Sequence, residues 1–225
     1  MNAGGVDLAR PVQARDGLRL ALPRGALFGN CLDMLDRAGF DTSEPRSDSR
    51  ALIFELEGLT LITMRPSDVP TYVEAGAAEL GITGKDVLSE QDDRAVYELV
   101  DLGFGRCRMV LAAREGDDSL ERSLRRLGYM RIATKYTRTA QRFFEETGRQ
   151  IELIEVKGSV ELAPLVGLAD GIVDLVDTGR TMKENGLVER EQISVCTARL
   201  VANRVAHKVR VDAIDAMVER LREAA

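Results

Sequence analysis

Histidine is nearly absent. His207 is the only one among 225 residues, which excludes clustered imidazole zinc ligands and makes any histidine-centred triad depend on that single side chain. A structural or surface role suits it. Cysteine is scarce and odd in number: Cys31, Cys107 and Cys196 are far apart in sequence and offer neither a disulfide framework nor a CxxC metal motif, which fits buried, inert thiols in a reducing compartment. Nor is there a basic excess. The formal net charge of -6 is the wrong sign for a surface built to neutralise nucleic acid, although a basic pocket is compatible with it. No stretch approaches ~18 uninterrupted apolar residues, and Met1 to Asp16 hold no apolar h-region. The expectation is a cytoplasmic protein with a flexible N-terminal tail over 1–17. Internal repeats and low-complexity segments are lacking as well.

What is present is a 44% hydrophobic chain long enough for one large core or two modest ones. Apolar runs alternate with helical patterns. Leu18 to Leu22 reads as a strand, Pro23-Arg24-Gly25 as a turn, and Leu27 to Ala38 as a helix stopped by Gly39. Ala51 to Leu56 and Leu59 to Met64 read as strands joined at Glu57-Gly58. A helix over Pro66 to Leu80 and a short strand at Gly81 to Thr83 follow. Two β-type runs, Val96 to Leu102 and Cys107 to Ala113, meet through Gly103-Phe104-Gly105 and read as a crossover. The pattern then restarts: helix from Ser119, strand at Met130 to Ala133, helix from Thr137, strand at Ile151 to Val156, helix around Val160 to Ala169, strand at Ile172 to Val176. Strands alternating with helices predict mostly parallel sheets covered on both faces, hence an α/β protein of two lobes around a central cleft. The expected division is 18–105 plus 196–225 for the first lobe and 106–195 for the second. Near the C-terminus Ile214, Met217, Val218 and Leu221 draw one apolar helical stripe, expected to pack within the chain.

Two constellations could carry chemistry. In Asp174-Leu-Val-Asp177-Thr178-Gly179-Arg180-Thr181 an apolar strand ends in a small-residue turn that opens a helix. Backbone N–H groups and the hydroxyls of Thr178 and Thr181 would converge there on a phosphate, and Asp174 and Asp177 could accept from ribose hydroxyls. An ordinary strand-to-helix turn capped by Thr178 explains the same residues. The second set is basic: Arg24, Arg50, Arg65 and Lys85 each follow a strand or sit in a loop, where α/β sheets gather ligand-binding groups. Scattered surface cations are the alternative. Gly158-Ser159-Val160-Glu161 could be a capped helix start or could present donors to a ligand.

Taken in order, these segments resemble one known family. Leu20-Ala-Leu-Pro-Arg-Gly25, Arg65-Pro-Ser-Asp-Val-Pro-Thr-Tyr-Val-Glu74, Gly84-Lys-Asp86, Tyr97-Glu-Leu-Val-Asp-Leu-Gly103 and Ala133-Thr-Lys-Tyr136 are each similar to a block of the ATP phosphoribosyltransferases. Gly158-Ser-Val-Glu-Leu-Ala-Pro164, continued through Asp174 to Met182, resembles that family's signature for phosphoribosyl pyrophosphate (PRPP). The similarity spans roughly 18 to 207.

The resemblance implies the type II periplasmic-binding-protein fold and transfer of the phosphoribosyl group of PRPP to N1 of ATP, the first step of histidine biosynthesis, with Mg²⁺ accompanying the substrates. It assigns Glu161, Asp174, Asp177, Thr178, Gly179, Arg180 and Thr181 to PRPP. Arg24 and Lys85 go to ATP or phosphate contacts, and Arg50 and Arg65 to the catalytic handling of the leaving group. The chain's length resembles the short form, which implies a separate regulatory subunit similar to histidyl-tRNA synthetase and a homodimer within a hetero-octamer. One departure stands in the first loop, where Ala26 occupies a position usually held by arginine.

Overall fold

The computed structural model describes residues 17–47 and 50–225; the expected tail, Gly17 excepted, and Asp48-Ser49 lie outside the described residues. By its contacts the chain divides into two units. One comprises the described residues up to Thr83, Ala95–Val100 and Leu200–Ala225; the other comprises Gly84–Arg94 and Asp101–Arg199.

The first unit is built from β1 (Leu18–Pro23), α1 (Phe28–Arg37), α2 (Ser43–Arg46), β2 (Ile53–Leu56), β3 (Leu59–Met64), α3 (Val69–Glu74) and β4 (Leu80–Gly84). After a passage through the second unit the chain returns with β5 (Val96–Asp101). It ends, in this unit, on β11 (Ala198–Asn203), α9 (Arg204–Val209) and α10 (Val211–Ala224). The sheet order is β2-β3-β1-β4-β11-β5. β1 runs parallel to both β3 and β4, and β2 turns back antiparallel on β3. Leu20, Ala21 and Leu22 are all fully buried, as a central strand covered on both faces requires. Gly81 lets α3 approach β4: a Cβ there would stand 2.7 Å from Val69 Cγ1 and 2.7 Å from Val73 Cγ2. The stripe of α10 packs within the chain: Ile214, Met217, Val218 and Leu221 are buried, α10 lies against α1, and Arg37 Nε donates to the Ala224 carbonyl at 2.6 Å.

The second unit contains α4 (Lys85–Glu90), β6 (Cys107–Arg114), α5 (Ser119–Leu127), β7 (Met130–Thr134), α6 (Thr137–Glu146), β8 (Ile151–Glu155), α7 (Leu162–Leu165), β9 (Gly171–Val176), α8 (Arg180–Glu184) and β10 (Leu187–Cys196). Its sheet order is β10-β6-β9-β7-β8. β7 is parallel to β8 and β9, whereas β6 is antiparallel to both β9 and β10. Side chains alternate across this sheet: Met109, Leu111 and Ala113 pack on one face with Phe144 and Ile132, and Val110 and Ala112 on the other with Ile172 and Met182.

The contact division differs from the expected lobe boundaries at Gly84–Arg94 and also at 101–105 and 196–199, which group with the second unit. One tie of Gly84–Arg94 to the second unit is Glu90, whose carboxylate accepts from the Arg138 and Thr139 N–H groups at 2.9 and 3.0 Å and so caps α6. Helix lengths differ too. The helix expected over Pro66 to Leu80 is a 3-10 turn, Pro66–Asp68, followed by α3, which ends before Gly76 at φ 73°. The helix expected around 160–169 shrinks to α7, closed by Gly167 at φ 73°.

The polar anchor of the first unit is Glu79. Only 8% exposed, it accepts from the Arg19 backbone N–H at 2.8 Å and from Arg19 Nη2 at 2.6 Å, while the same guanidinium donates to the Gly76 carbonyl at 3.0 Å. Burial alone would raise the Glu79 pKa, but the Arg19 hydrogen bonds and charge outweigh it and hold it below the ordinary carboxylate value. Such a group stabilises the fold fully above its unfolded pKa, and that contribution is lost as pH falls through the depressed folded value. Glu79→Ala, which strands a partly buried guanidinium, is expected to lose about 3 kcal/mol at pH 7 and to show a shallower decline of stability with acid than the parent. Urea unfolding at pH 7 and below pH 4 measures both.

Candidate active site

Parallel pairing places the carboxyl ends of adjacent strands at one sheet edge, where α/β proteins gather ligand-binding groups. In the first unit the register aligns Pro23 of β1 with Met64 of β3, so Arg24 and Arg65 emerge side by side. The Arg24 backbone N–H donates to the Met64 carbonyl at 2.7 Å. Because β2 is antiparallel to β3, its leading end lies at the same edge, with the Thr63 N–H bonded to the Leu52 carbonyl at 2.7 Å. Arg50 is thereby brought to the same edge.

Of these three cations Arg24 is the most constrained. Its Nε donates to Thr63 Oγ1 at 2.9 Å and its Nη2 to the Ala51 carbonyl at 2.5 Å, and the guanidinium lies 5.5 Å from the Phe28 ring centroid. This arginine ties the loop before β2 to β1 and β3. Arg50 and Arg65 are exposed. Gly25, at φ 101°, turns the first loop, and Ala26 is exposed within it. Lys85 groups with the second unit, and its backbone N–H donates to the Thr197 carbonyl at 2.9 Å.

In the second unit the analogous edge lies at the ends of the parallel strands β7 and β9. After Val176 the chain presents exposed Asp177 and Thr178, then Gly179 at φ 76°, a left-handed conformation that suits glycine and opens α8. Thr178 Oγ1 accepts from the Arg180 N–H at 3.4 Å, and the leading N–H groups of α8 point outward as at any helix start. Arg180 Nε is tied along the helix to Glu184 at 2.8 Å, and Thr181 is exposed. Asp174, on β9, is half-buried. Burial pushes its pKa up, opposed by the backbone N–H of Leu175 and the Lys135 charge, and the nearby Glu161 charge pushes it further up. Glu161 stands at the start of α7. The seven loop and strand residues expected to bind one ligand therefore share one unit.

Three neighbours of this edge belong to family-like segments but were given no role by sequence: Asp86, Lys135 and Tyr136. β7 ends in a fixed turn, with Thr134 Oγ1 donating to the Val173 carbonyl at 2.7 Å and accepting from the Tyr136 N–H at 2.8 Å. Tyr136 donates its hydroxyl to Asp86 Oδ2 at 3.2 Å. Burial raises the pKa of Asp86 despite that bond, and burial together with the Asp86 and Asp174 charges raises that of Tyr136. Lys135 is exposed, holds its ammonium 4.9 Å from the Tyr136 ring centroid, and by its charge partly opposes the rise that burial imposes on Asp86 and Asp174. The available signal was the rule that marked Lys85, a cation directly after an apolar strand.

Carboxylates, hydroxyls and outward N–H groups around a glycine turn suit a phosphorylated sugar, with oxygen acceptors for its hydroxyls and donors for its phosphate. Among the described residues no group of three or more His, Cys, Asp or Glu side chains is placed to hold a metal ion. The hard oxygen donors Asp174 and Asp177 instead fit a cation that arrives on substrate phosphates and takes one or two carboxylates from the protein.

Residues 65–223 match the family HisG: ATP phosphoribosyltransferase. An ATP phosphoribosyltransferase of Rubrobacter xylanophilus is 53% identical over 195 residues, covering 86% of this chain and 90% of that protein. One of Moorella thermoacetica is 49% identical over 213 residues, covering 92% and 93%. Among solved structures, a chain of the ATP phosphoribosyl transferase (HisG:HisZ) complex from Thermotoga maritima matches with a TM-score of 0.75 at 34% identity, covering 92% of this chain and 98% of that one. The alkanesulfonate-binding protein SsuA of Xanthomonas axonopodis pv. citri shares the fold, with a TM-score of 0.55 at 11% identity over 93% of this chain and 73% of that one.

A carboxyl whose pKa is raised by burial penalises the folded state wherever it is ionised, and the penalty vanishes once pH falls below its unfolded value. Asp174→Asn is therefore expected to raise the unfolding midpoint of the ligand-free protein at pH 7, with the gain shrinking as pH drops below 4. An equal or lower midpoint at pH 7 would show that burial does not set the state of this group.

Proposed function

We propose that this chain, which belongs to the ATP phosphoribosyltransferase family, divides its reaction between two clusters: the Asp174–Thr181 loop with Glu161 holds PRPP, and Arg24, Arg50, Arg65 and Lys85 meet phosphate and leaving-group charge. The chain transfers the phosphoribosyl group of PRPP to N1 of ATP, giving phosphoribosyl-ATP and pyrophosphate at the entry to histidine biosynthesis. The observation that carries the loop's role is its build: two acidic residues and two threonines around Gly179 at φ 76°, at the carboxyl end of β9. The fold it shares with the alkanesulfonate-binding protein SsuA rests on 11% identity and speaks for the fold alone, whereas the relatives at 49 and 53% identity are ATP phosphoribosyltransferases, so a non-catalytic anion-binding module is not favoured.

The ring nitrogen N1 attacks C1 of the ribose with its own lone pair, so the chemistry asks for position and charge stabilisation more than for a protein nucleophile. The transition state is ribosyl-cation-like, with positive charge growing at C1 and negative charge on the departing pyrophosphate. Asp174 and Asp177 accept from the ribose hydroxyls and fix the face that C1 presents. Thr178, Gly179, Arg180 and Thr181 hold the 5′-phosphate. The freely exposed forks of Arg50 and Arg65 take the pyrophosphate charge as the C1–O bond breaks, a bidentate task suited to guanidinium. Arg24, anchored on Thr63, orients the loop more than it reaches outward, which makes the arginine missing at Ala26 a loss that Arg50 and Arg65 absorb. The divalent metal proposed is Mg²⁺, which would arrive on the substrates' phosphates, neutralise the pyrophosphate and take Asp174 and Asp177 as its protein oxygens.

The Thermotoga maritima relative was solved as a HisG:HisZ complex, and on that ground this chain is assigned a separate regulatory subunit, whose likeness to histidyl-tRNA synthetase is what the family resemblance implies. The assembly proposed is a homodimer within a hetero-octamer, working in the cytoplasm. Mixing the chain with ATP, PRPP and Mg²⁺ is expected to release pyrophosphate, faster with the regulatory subunit, and not with adenine or orotate as acceptor. Thr178→Val should weaken PRPP binding roughly tenfold, the value of one hydrogen bond to a charged group, with the fold intact; unchanged affinity in calorimetry would remove the loop from the PRPP site. Arg50→Ala should slow a single turnover by roughly 100-fold while changing binding less, and a parental single-turnover rate would free it from the chemistry.

A further inference from the structure

The sequence separates Cys107 from Cys196, yet the fold makes them direct cross-strand partners: Cys107 opens β6, Cys196 closes β10, and the antiparallel register sets one opposite the other. Opposed residues of an antiparallel pair have Cα atoms about 4.5 or 5.5 Å apart, within the roughly 4.4–6.8 Å that a disulfide spans. Both thiols are free. Cys107 is half-buried and so reachable by a small solute, whereas Cys196 is buried beneath it with Ser194 Oγ 3.9 Å from its sulfur.

The two sulfurs interact. The Cys107 S–H, directed at the Cys196 sulfur, lowers the pKa of Cys196 against the opposing effect of burial, and the same interaction with burial raises that of Cys107. The two sulfurs are thus near enough to share a hydrogen bond, which is the proximity that capture of a sulfenic acid by a second thiol needs. Cys31 provides the contrast within the same chain: buried without such a partner, its thiol is pushed up to about 12 by desolvation.

We propose that Cys107 and Cys196 form a redox-modification site, a dithiol that hydroperoxides oxidise reversibly to an intrachain disulfide. One sulfur of the pair attacks a peroxide oxygen as the O–O bond breaks, giving a sulfenic acid and, with hydrogen peroxide, one water. The second sulfur then attacks the sulfenic sulfur and expels a second water, so two thiols and one peroxide yield one disulfide and two waters. A thiol reductant reverses the step by exchange. The cross-link would join the first and last strands of the Asp101–Arg199 segment, closing nearly the whole of that segment of the second unit into one loop and removing conformational freedom from its unfolded state.

The test treats the folded protein with hydrogen peroxide at a few equivalents and measures intact mass. A loss of two mass units is expected, restored by dithiothreitol, with peptide mapping after a glutamate-specific protease joining Cys107 to Cys196. Cys31→Ser should behave as the parent, and Cys107→Ser and Cys196→Ser should not lose the two mass units. The oxidised parent should unfold at higher urea than the reduced one. A gain of 16 or 32 mass units without a link, a link through Cys31, or an unchanged urea midpoint in the cross-linked protein would overturn the proposal.

Discussion

The constraint on which both clusters depend is parallel strand pairing. Two parallel neighbours must end at the same sheet edge, so whatever the chain places after each strand is delivered to one locality. In the first unit β1 and β3 deliver Arg24 and Arg65, and the antiparallel return of β2 adds Arg50. In the second, β7 and β9 deliver Lys135 with Tyr136 and the Asp174–Thr181 loop. The hydrophobic runs that bury these strands thus serve the site as well, because they fix the level at which each loop starts.

Charge is handled differently in the two clusters. The first presents exposed guanidinium groups, with Arg24 alone committed to Thr63 and the Ala51 carbonyl. The second holds half-buried carboxylates whose pKa values rise through partial loss of solvent, Asp174 beside Glu161 and Asp86 under the Tyr136 hydroxyl. A ligand that brings hydroxyl donors or a cation relieves that desolvation, so stability withheld from the free protein returns on binding. Glu79 shows the opposite solution, a buried carboxylate matched by Arg19 and held in its charged form.

Much of this was legible in the linear pattern. The strands β1, β3, β6, β7 and β9, the helices α1, α5 and α6, and the α10 stripe follow from apolar spacing, because each buries a face of regular period. The failures have local causes. β10 was not foreseen because register shifts between Glu189 and Glu191 and between Gln192 and Ser194 break its alternation. α3 and α7 proved short because glycines at positive φ, Gly76 and Gly167, end each turn earlier than composition suggested. Asp86, Lys135 and Tyr136 escaped notice because each is unremarkable in sequence, and Asp86 and Tyr136 acquire their setting from one another across 50 residues.

The sequence by itself determined the α/β class, the glycine turn that opens a helix at Asp174–Thr181 and the family resemblance, since these rest on local periodicity and on residue order. Tertiary structure decided what those residues meet. It gathered Arg24, Arg50 and Arg65 at one edge, placed Gly84–Arg94 in the second unit, where Glu90 caps α6, and set Cys107 against Cys196. The reason is that backbone propensity acts over a few residues, whereas proximity, desolvation and the sharing of a proton depend on strand order and register, which only the folded chain establishes.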